Sequence, residues 1–127
     1  MTKTNKIIYW IATVMLSIGM LSGGIAQLLK AQPNVDGIVH LGYPTYLLYI
    51  LGVWKILGVI AILIPKYKLL KEWAYAGFFF AMTGAVISHN VVGDNFLQFL
   101  APLIFVVLTV LSWYFRPADR KFFPTNN

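Results

Sequence analysis

Four long apolar runs limit what this chain can fold into. They cover residues 7–29, 46–64, 73–92 and 96–115. Each approaches or exceeds the roughly 20 residues that cross a hydrocarbon core of about 30 Å. Only 11% of the 127 residues are charged, whereas about 25% are charged in a typical soluble domain. The sequence therefore predicts a single all-α domain, a polytopic membrane four-helix bundle in the lipid bilayer.

The basic residues lie mostly on one side of these runs. Eight of the ten Lys and Arg residues flank the two termini and the middle connection: Lys3, Lys6, Lys66, Lys68, Lys71, Arg116, Arg120 and Lys121. By the positive-inside rule we expect the N and C termini to be cytoplasmic, in a multi-pass protein of the plasma (inner) membrane. The lysines of residues 66–71 should then meet anionic headgroups. Because topology explains the net charge of +6, we expect no nucleic-acid partner.

The third run carries a stripe of small residues. At about 100° per residue its members share one helix face; they are Ala74, Gly77, Ala81, Gly84, Ala85 and Ser88. Because such a stripe lets a neighbouring helix approach closely in lipid, we expect Gly77 and Gly84 to be helix contacts. The first run carries a second stripe that ends at Lys30. It is longer than the core of a secretory signal, so we expect it to be retained.

The second run contains one charged residue, Lys55, near its middle. It lies about 14 Å from each end of the run at 1.5 Å per residue, beyond easy reach of the headgroups. An ammonium at this depth costs at least about 2.5 kcal/mol unless it is paired or faces a wet cavity. Lys55 therefore either faces a ligand inside the bundle, with Gly52 and Gly58 leaving room, or donates to backbone carbonyls or hydroxyls there.

A second group of polar residues lies on the outer side of the predicted bundle, and with Lys55 these are the candidate ligand-binding residues: Gln27, Lys30, His40, Tyr43, His89 and Asp94. Lys30 lies at the end of a run, where it either extends to the headgroups or joins a ligand site. Tyr43 lies in a rigid Gly-Tyr-Pro turn or in an interfacial aromatic belt. The connection around it, residues 31–45, has Pro and Gly residues that should break helix.

The histidines and acidic residues of this outer side leave two possibilities. Two histidines and a carboxylate can form a metal site. No metal-binding sequence spacing supports that reading, so the simpler expectation is a hydrogen-bonded His–Asp cap on the bundle.

Short motifs follow one another along nearly the whole chain: His40-Leu41-Gly42-Tyr43-Pro44, Gly52-Val53-Trp54-Lys55 with Gly58, Pro65, Lys71-Glu72-Trp73-Ala74-Tyr75-Ala76-Gly77-Phe78, Gly84-Ala85, Ser88-His89, Gly93-Asp94 and Arg116-Pro117. In this order they resemble the DoxX-like family of small four-helix membrane proteins. The resemblance implies a four-span bundle. Members of the wider group are associated with quinone-linked thiosulfate oxidation or with membrane oxidoreductase assembly. Many relatives carry an acidic residue in the second span, where this sequence has Lys55.

The sequence contains no nucleophile–base pair, phosphate loop or cofactor motif, and it has no cysteine for disulfides, thiolate metal sites or iron–sulfur clusters. It therefore does not identify an enzyme. The leading hypothesis is an accessory membrane protein that binds a lipophilic small molecule, a quinone or a lipid, against Lys55 and the outer polar residues. Two alternatives stay open: a membrane subunit of a quinone-linked oxidoreductase whose protein partner supplies the redox chemistry, and a purely structural assembly factor.

The topology predicts how single cysteines will react in this cysteine-free chain. Cysteines introduced at Asn34 and Asn95 should react with a membrane-impermeant thiol reagent in intact cells, whereas one at Tyr67 should not, because basic connections stay in the cytoplasm. Labelling is read as a mass shift, and permeabilised cells provide the control for access. The reverse labelling pattern would overturn the predicted topology.

Overall fold

The computed structural model describes residues 2–121, and this part of the chain is helical without any strand. The prediction of an all-α fold is therefore confirmed. The described residues form α1 Lys3–Leu28, α2 Gln32–His40, α3 Leu47–Leu63, α4 Lys68–Val91, α5 Phe96–Tyr114 and the short 3-10 helix Ala118–Arg120.

The four long helices pack side by side in a cycle. Helix α1 packs against α3 and α5, and α4 packs against the same two helices. Side chains from α1, α3 and α4 meet in one buried cluster: Leu16, Met20, Val59, Ile62, Tyr75, Phe78 and Met82. Phe105, Val106 and Leu108 of α5 pack against this cluster. Dispersion contacts among these large side chains hold the four helices together.

Helices α1 and α3 approach each other closely at Gly24 and Gly52. A Cβ atom on Gly52 would lie 2.8 Å from the backbone oxygen of Gly24, and one on Gly24 would lie 3.0 Å from the backbone oxygen of Gly52. Backbone atoms cannot move aside as a flexible side chain can. A side chain at Gly52 would therefore force the two helices to shift, and one at Gly24 would press against the same backbone.

The small-residue stripe of α4 does not form a comparable contact. A Cβ atom on Gly77 or Gly84 would meet nothing within 4 Å, so the prediction that these two glycines are helix contacts is wrong. The buried face of α4 instead carries large side chains: Lys71, Tyr75, Phe78 and Met82. A periodic pattern identifies a face of a helix, but not which neighbour covers it, and here the bulky face packs inward.

The expectation that residues 31–45 break helix is wrong in part, because α2 occupies Gln32–His40. Pro33 lies in its first turn, where the missing N–H group would have no intrahelical partner in any case. No residue of α2 is buried. The helix therefore lies on the outside, against α1 and α3.

Two cations cap the C-terminal end of α3. Lys71 donates from Nζ to the backbone oxygens of Ala61, at 2.8 Å, and Ile64, and Arg120 donates from Nη1 to that of Ile62 at 2.9 Å. The last carbonyls of a helix lack intrahelical partners and favour positive charge. The expectation that Lys71 faces headgroups is wrong, because this residue is only 1% exposed.

Two described helices are long and apolar enough to cross a membrane by length and composition, α1 with 26 residues and α5 with 19. Helix α3 is apolar but has 17 residues. Helix α4 begins at Lys68, before the apolar run at residues 73–92, and its first turns include Lys71 and Glu72. The four apolar runs thus correspond to four helices, of which two meet the criterion for a span.

Alanine substitutions at two glycines should distinguish a glycine in a close helix contact from one that borders open space. Gly52→Ala should lower the thermal unfolding temperature in mild detergent, since its Cβ would lie 2.8 Å from the Gly24 oxygen, and such overpacking costs about 1–3 kcal/mol. Gly77→Ala is the matched control, because its Cβ meets nothing within 4 Å. It should raise stability slightly, since Ala favours helix over Gly by about 1 kcal/mol. Equal losses in both variants would contradict this packing.

Candidate functional site

Lys55 lines a groove between α3 and α4. The groove has a volume of about 400 Å³. Large apolar side chains form much of its lining: Leu51, Trp54, Leu57, Trp73 and Phe78. Small residues of the α4 stripe also line the groove on that helix: Ala74, Gly77 and Ala81. The stripe therefore leaves open space beside Lys55, where a close helix contact had been expected.

The Lys55 ammonium extends toward α1. A Cβ atom on Gly23 would lie 3.9 Å from Nζ, an ordinary van der Waals distance, so the ammonium lies next to α1 at this position. Lys55 is half-buried, and within residues 2–121 its Nζ has no hydrogen-bond or ion-pair partner. The alternative in which helix carbonyls or interior hydroxyls satisfy Lys55 is therefore not met in this part of the chain. Neighbouring side chains and backbone fill the space beside Gly52 and Gly58.

Gln27 is a second polar residue without a partner in this region. It is 8% exposed, and its Oε1 accepts no hydrogen bond from the described residues. Gln27 follows Gly23 by four residues in α1, so the Cβ positions of the two residues are about 6 Å apart on one helix face. An unpaired acceptor and an unpaired ammonium thus lie near the same part of the interior.

The end of the molecule opposite Lys71 and Arg120, which we call the outer end after the predicted topology, carries a His–Asp–His cluster. His40 donates from Nε2 to Oδ1 of Asp94 at 2.7 Å, and His89 donates from Nδ1 to Oδ2 at 2.6 Å. The hydrogen bonds from His89 and His40 hold the pKa of the Asp94 carboxyl below its ordinary value. The expected His–Asp cap is therefore present. Among residues 2–121 no group of three His, Cys, Asp or Glu side chains is arranged to hold a metal ion.

Three helix ends position this outer side with the same backbone motif. After α4, Gly93 has φ of +83°, and Asp94 N–H bonds to the His89 oxygen at 2.9 Å. After α2, Gly42 has φ of +87°, and Tyr43 N–H bonds to Ile38 oxygen at 3.0 Å. Both are Schellman motifs, in which a left-handed residue reverses the chain. They direct Asp94 and Tyr43 back over the helix ends.

The third of these ends follows α1, where Lys30 takes the left-handed position with φ of +51°. Its Nζ lies 4.5 Å from the centroid of the Tyr49 ring, a cation–π contact with α3. Tyr43 shares a hydrogen bond of 2.7 Å with the Ser88 hydroxyl. Lys30 and Tyr43 therefore tie helix ends together.

The candidate residues divide into two groups. Lys55 and Gln27 lie near the interior between α1 and α3, without polar partners among residues 2–121. His40, Tyr43, His89 and Asp94 lie at the outer end in satisfied hydrogen bonds. No hydrogen bond or ion pair of the described chain joins Lys55 to this second group. The single site anticipated from the sequence is therefore two separate arrangements, with Lys30 beside the outer one.

Sequence reasoning missed a buried hydroxyl network. Ser112 of α5 is hydrogen-bonded to Thr13 of α1 at 2.6 Å and to the Tyr75 hydroxyl of α4 at 2.8 Å. Tyr9 and Ser17 carry further buried hydroxyls on the same helix as Thr13. The signal was the four-residue spacing of Tyr9, Thr13 and Ser17 on one face of α1.

Asp94→Asn should destabilise the protein in a pH-dependent manner. Because the folded pKa of Asp94 lies below its unfolded value, the carboxylate's contribution is complete above about pH 4 and is lost as pH falls through the folded pKa. The wild-type unfolding temperature should therefore exceed that of Asp94→Asn at pH 5.5, and the difference should disappear as the pH falls through the folded pKa of Asp94.

Asp36→Asn is the control for that comparison, because Asp36 accepts one hydrogen bond from Gln32 on the exposed surface of its own helix. It should differ little from wild type across the series. An Asp94→Asn protein as stable as wild type at pH 5.5 would show that the cluster does not hold the outer end.

A comparison with known protein families identifies the family of this chain. The profile of the DoxX-like family matches residues 11–112, which include α2, α3 and α4 in full. The match also contains both arrangements described above. No curated protein and no solved structure matches the chain. The resemblance inferred from the sequence motifs is thus confirmed, and this chain belongs to the DoxX-like family, whose members are membrane-associated.

Proposed function

We propose that this chain is an integral membrane protein that binds a lipophilic small molecule, a quinone or a lipid, against Lys55. In this proposal α1, α3, α4 and α5 cross the plasma (inner) membrane as a four-helix bundle with both termini in the cytoplasm. The protein holds its ligand in the groove between α3 and α4 as an accessory, without catalytic groups of its own. The observation that carries the proposal is the unpartnered Lys55 ammonium beside an apolar groove.

The outward-facing surface supports a membrane location. All four long helices expose large apolar side chains, among them Ile11, Ile18, Trp54, Leu57, Phe80, Ile87, Leu97 and Val107. Contiguous apolar surface is costly in water, whereas lipid tails accommodate it. This surface extends to α3 and α4, so it supports four spans and not only the two that length and hydropathy identify.

The arrangement of the basic end supports the proposed orientation. Arg120 reaches the end of α3 through the Ile62 oxygen. Arg116, just after α5, pairs with Glu72 at the start of α4 at 2.8 Å. The C-terminal segment and the α3–α4 connection therefore share one end, which carries most of the basic residues. The positive-inside rule assigns such an end to the cytoplasm.

The groove supports an amphipathic ligand. Its volume of about 400 Å³ lies within the range of roughly 300–1,000 Å³ that is usual for small-molecule sites. Trp54, Trp73 and Phe78 offer flat apolar surfaces, and Lys55 is the charged residue of the lining. A lysine donates hydrogen bonds and accepts none, so the ligand presents an acceptor to Lys55 and apolar surface to the aromatic side chains.

Native mass spectrometry from mild detergent tests this function. We expect wild-type protein to retain a bound lipophilic molecule and Lys55→Met to lose it. Methionine removes the ammonium but keeps an unbranched side chain, so folding should persist and stability should not fall. Lys6→Met is the control, because Lys6 is an exposed lysine at the start of α1 and its substitution removes the same charge.

Equal ligand occupancy in wild type and Lys55→Met would contradict the proposal. Co-purification of wild type with a flavin or haem protein, without a ligand in this chain, would favour the oxidoreductase subunit. A folded protein with neither ligand nor redox partner would favour the structural assembly factor. The three functions thus give three different mass spectra.

A further inference from the structure

None of the acidic side chains of this chain forms an ion pair with Lys55. The whole sequence contains four Asp and Glu residues, and each lies within residues 2–121. Two of them are in tight pairs. Glu72 pairs with Arg116 at 2.8 Å and accepts from Trp113 at 2.9 Å. Asp94 accepts from His40 and His89 at the outer end.

The other two acidic side chains lie on exposed segments outside the four long helices. Asp36 accepts from Gln32 at 2.8 Å within α2. Asp119 lies in the 3-10 helix after α5 and borders a surface depression with Lys66 and Lys68. Neither forms an ion pair with Lys55. The protein therefore has no acidic side chain that serves as the counter-ion of Lys55.

A half-buried ammonium in an apolar groove gains most from an acceptor that carries a full negative charge. Charge-assisted hydrogen bonds are roughly twice as strong as neutral ones, and ionic attraction increases where water is excluded. A neutral carbonyl would satisfy one N–H donor but would leave the ammonium's charge uncompensated in apolar surroundings. The charge balance around Lys55 therefore favours an anion over a neutral acceptor.

The depth of Lys55 restricts which anion can reach it. Lys55 is eight residues from both Leu47 and Leu63, the ends of α3, which is about 12 Å along the helix axis. The phosphate of a phospholipid stays near the bilayer surface, so its headgroup would have to leave water to reach this depth. A single-chain carboxylate has the smaller head, and the apolar groove matches its tail.

We propose that the Lys55 groove binds a fatty-acid carboxylate, whose anionic head pairs with the ammonium while its chain lies against the apolar wall of α3 and α4. This inference rests on the proposed function and names the class of ligand for the same site. Nζ of Lys55 lies next to α1, 3.9 Å from a Cβ position on Gly23, and Gln27, one helical turn farther along α1, carries an amide that can donate to a carboxylate through its Nε2.

Thermal unfolding of delipidated protein in a nonionic maltoside detergent tests this ligand class. The probes are oleate, oleyl alcohol, which has the same chain with a neutral head, and decylubiquinone. Oleate should raise the unfolding temperature of wild type in a saturable manner, and oleyl alcohol should not. Lys55→Gln should weaken the apparent affinity for oleate by about tenfold or more. Lys55→Arg keeps the charge and should keep the response, and Lys6→Met should behave as wild type.

The outcomes separate this inference from the proposed function. If decylubiquinone or oleyl alcohol gives a Lys55-dependent shift that oleate does not, the anionic ligand is overturned and the lipophilic site stands. If none of the three probes gives a Lys55-dependent shift, both are overturned. A fourth probe, phosphatidylglycerol, tests the source of the anion. If it stabilises wild type as strongly as oleate and in a Lys55-dependent manner, the choice of a fatty-acid carboxylate is wrong.

Discussion

The close approach of α1 and α3 at Gly24 and Gly52 determines the rotation of α3, and much of the structure depends on it. If α3 were rotated so that Lys55 faced outward, a residue larger than glycine would take the place of Gly52 at the contact with α1. Even a Cβ atom at that position lies 2.8 Å from the backbone of Gly24. The contact therefore holds the base of Lys55 against α1, with its Cβ 3.2 Å from a Cβ position on Gly24. Two glycines that bind nothing thus keep the base of a charged side chain against α1.

The two ends of the molecule satisfy their helix termini by different means. At the outer end, the Schellman turns after α1, α2 and α4 let backbone N–H groups donate to the free carbonyls of these helices. The turn after α4 also brings Asp94 beside His40 and His89. At the basic end, side chains from other helices bond to the free carbonyls, since Lys71 and Arg120 donate to carbonyls of α3. The helix ends of the outer side are therefore capped by local backbone turns, whereas the end of α3 on the basic side is capped by side chains from other helices.

This difference explains how much could be predicted from the sequence. The His–Asp cap was predictable because charge and position in the chain bring those residues to one end, and Gly42 and Gly93 are local turn signals. The role of Lys71 was not predictable, because its carbonyl partners belong to another helix and a lysine near a proline resembles an ordinary surface charge. The α4 stripe shows the same limit, since spacing identified the face of Gly77 correctly but could not reveal that this face borders a groove. The inward direction of Lys55 followed from its depth, whereas its lack of a counter-ion required knowing where all four acidic side chains lie.

The capped end of α3 has a consequence for the surrounding bilayer. With 17 residues, α3 is about 26 Å long, shorter than a hydrocarbon core of about 30 Å, whereas α1 has 26 residues and exceeds it. In the proposed orientation the protein has unequal hydrophobic lengths around its perimeter, and thinning of the bilayer is one way in which the mismatch beside α3 is accommodated. Such mismatch costs fractions of a kcal/mol per Å. Because α3 forms one wall of the groove, the thickness of the membrane affects the lipid next to Lys55.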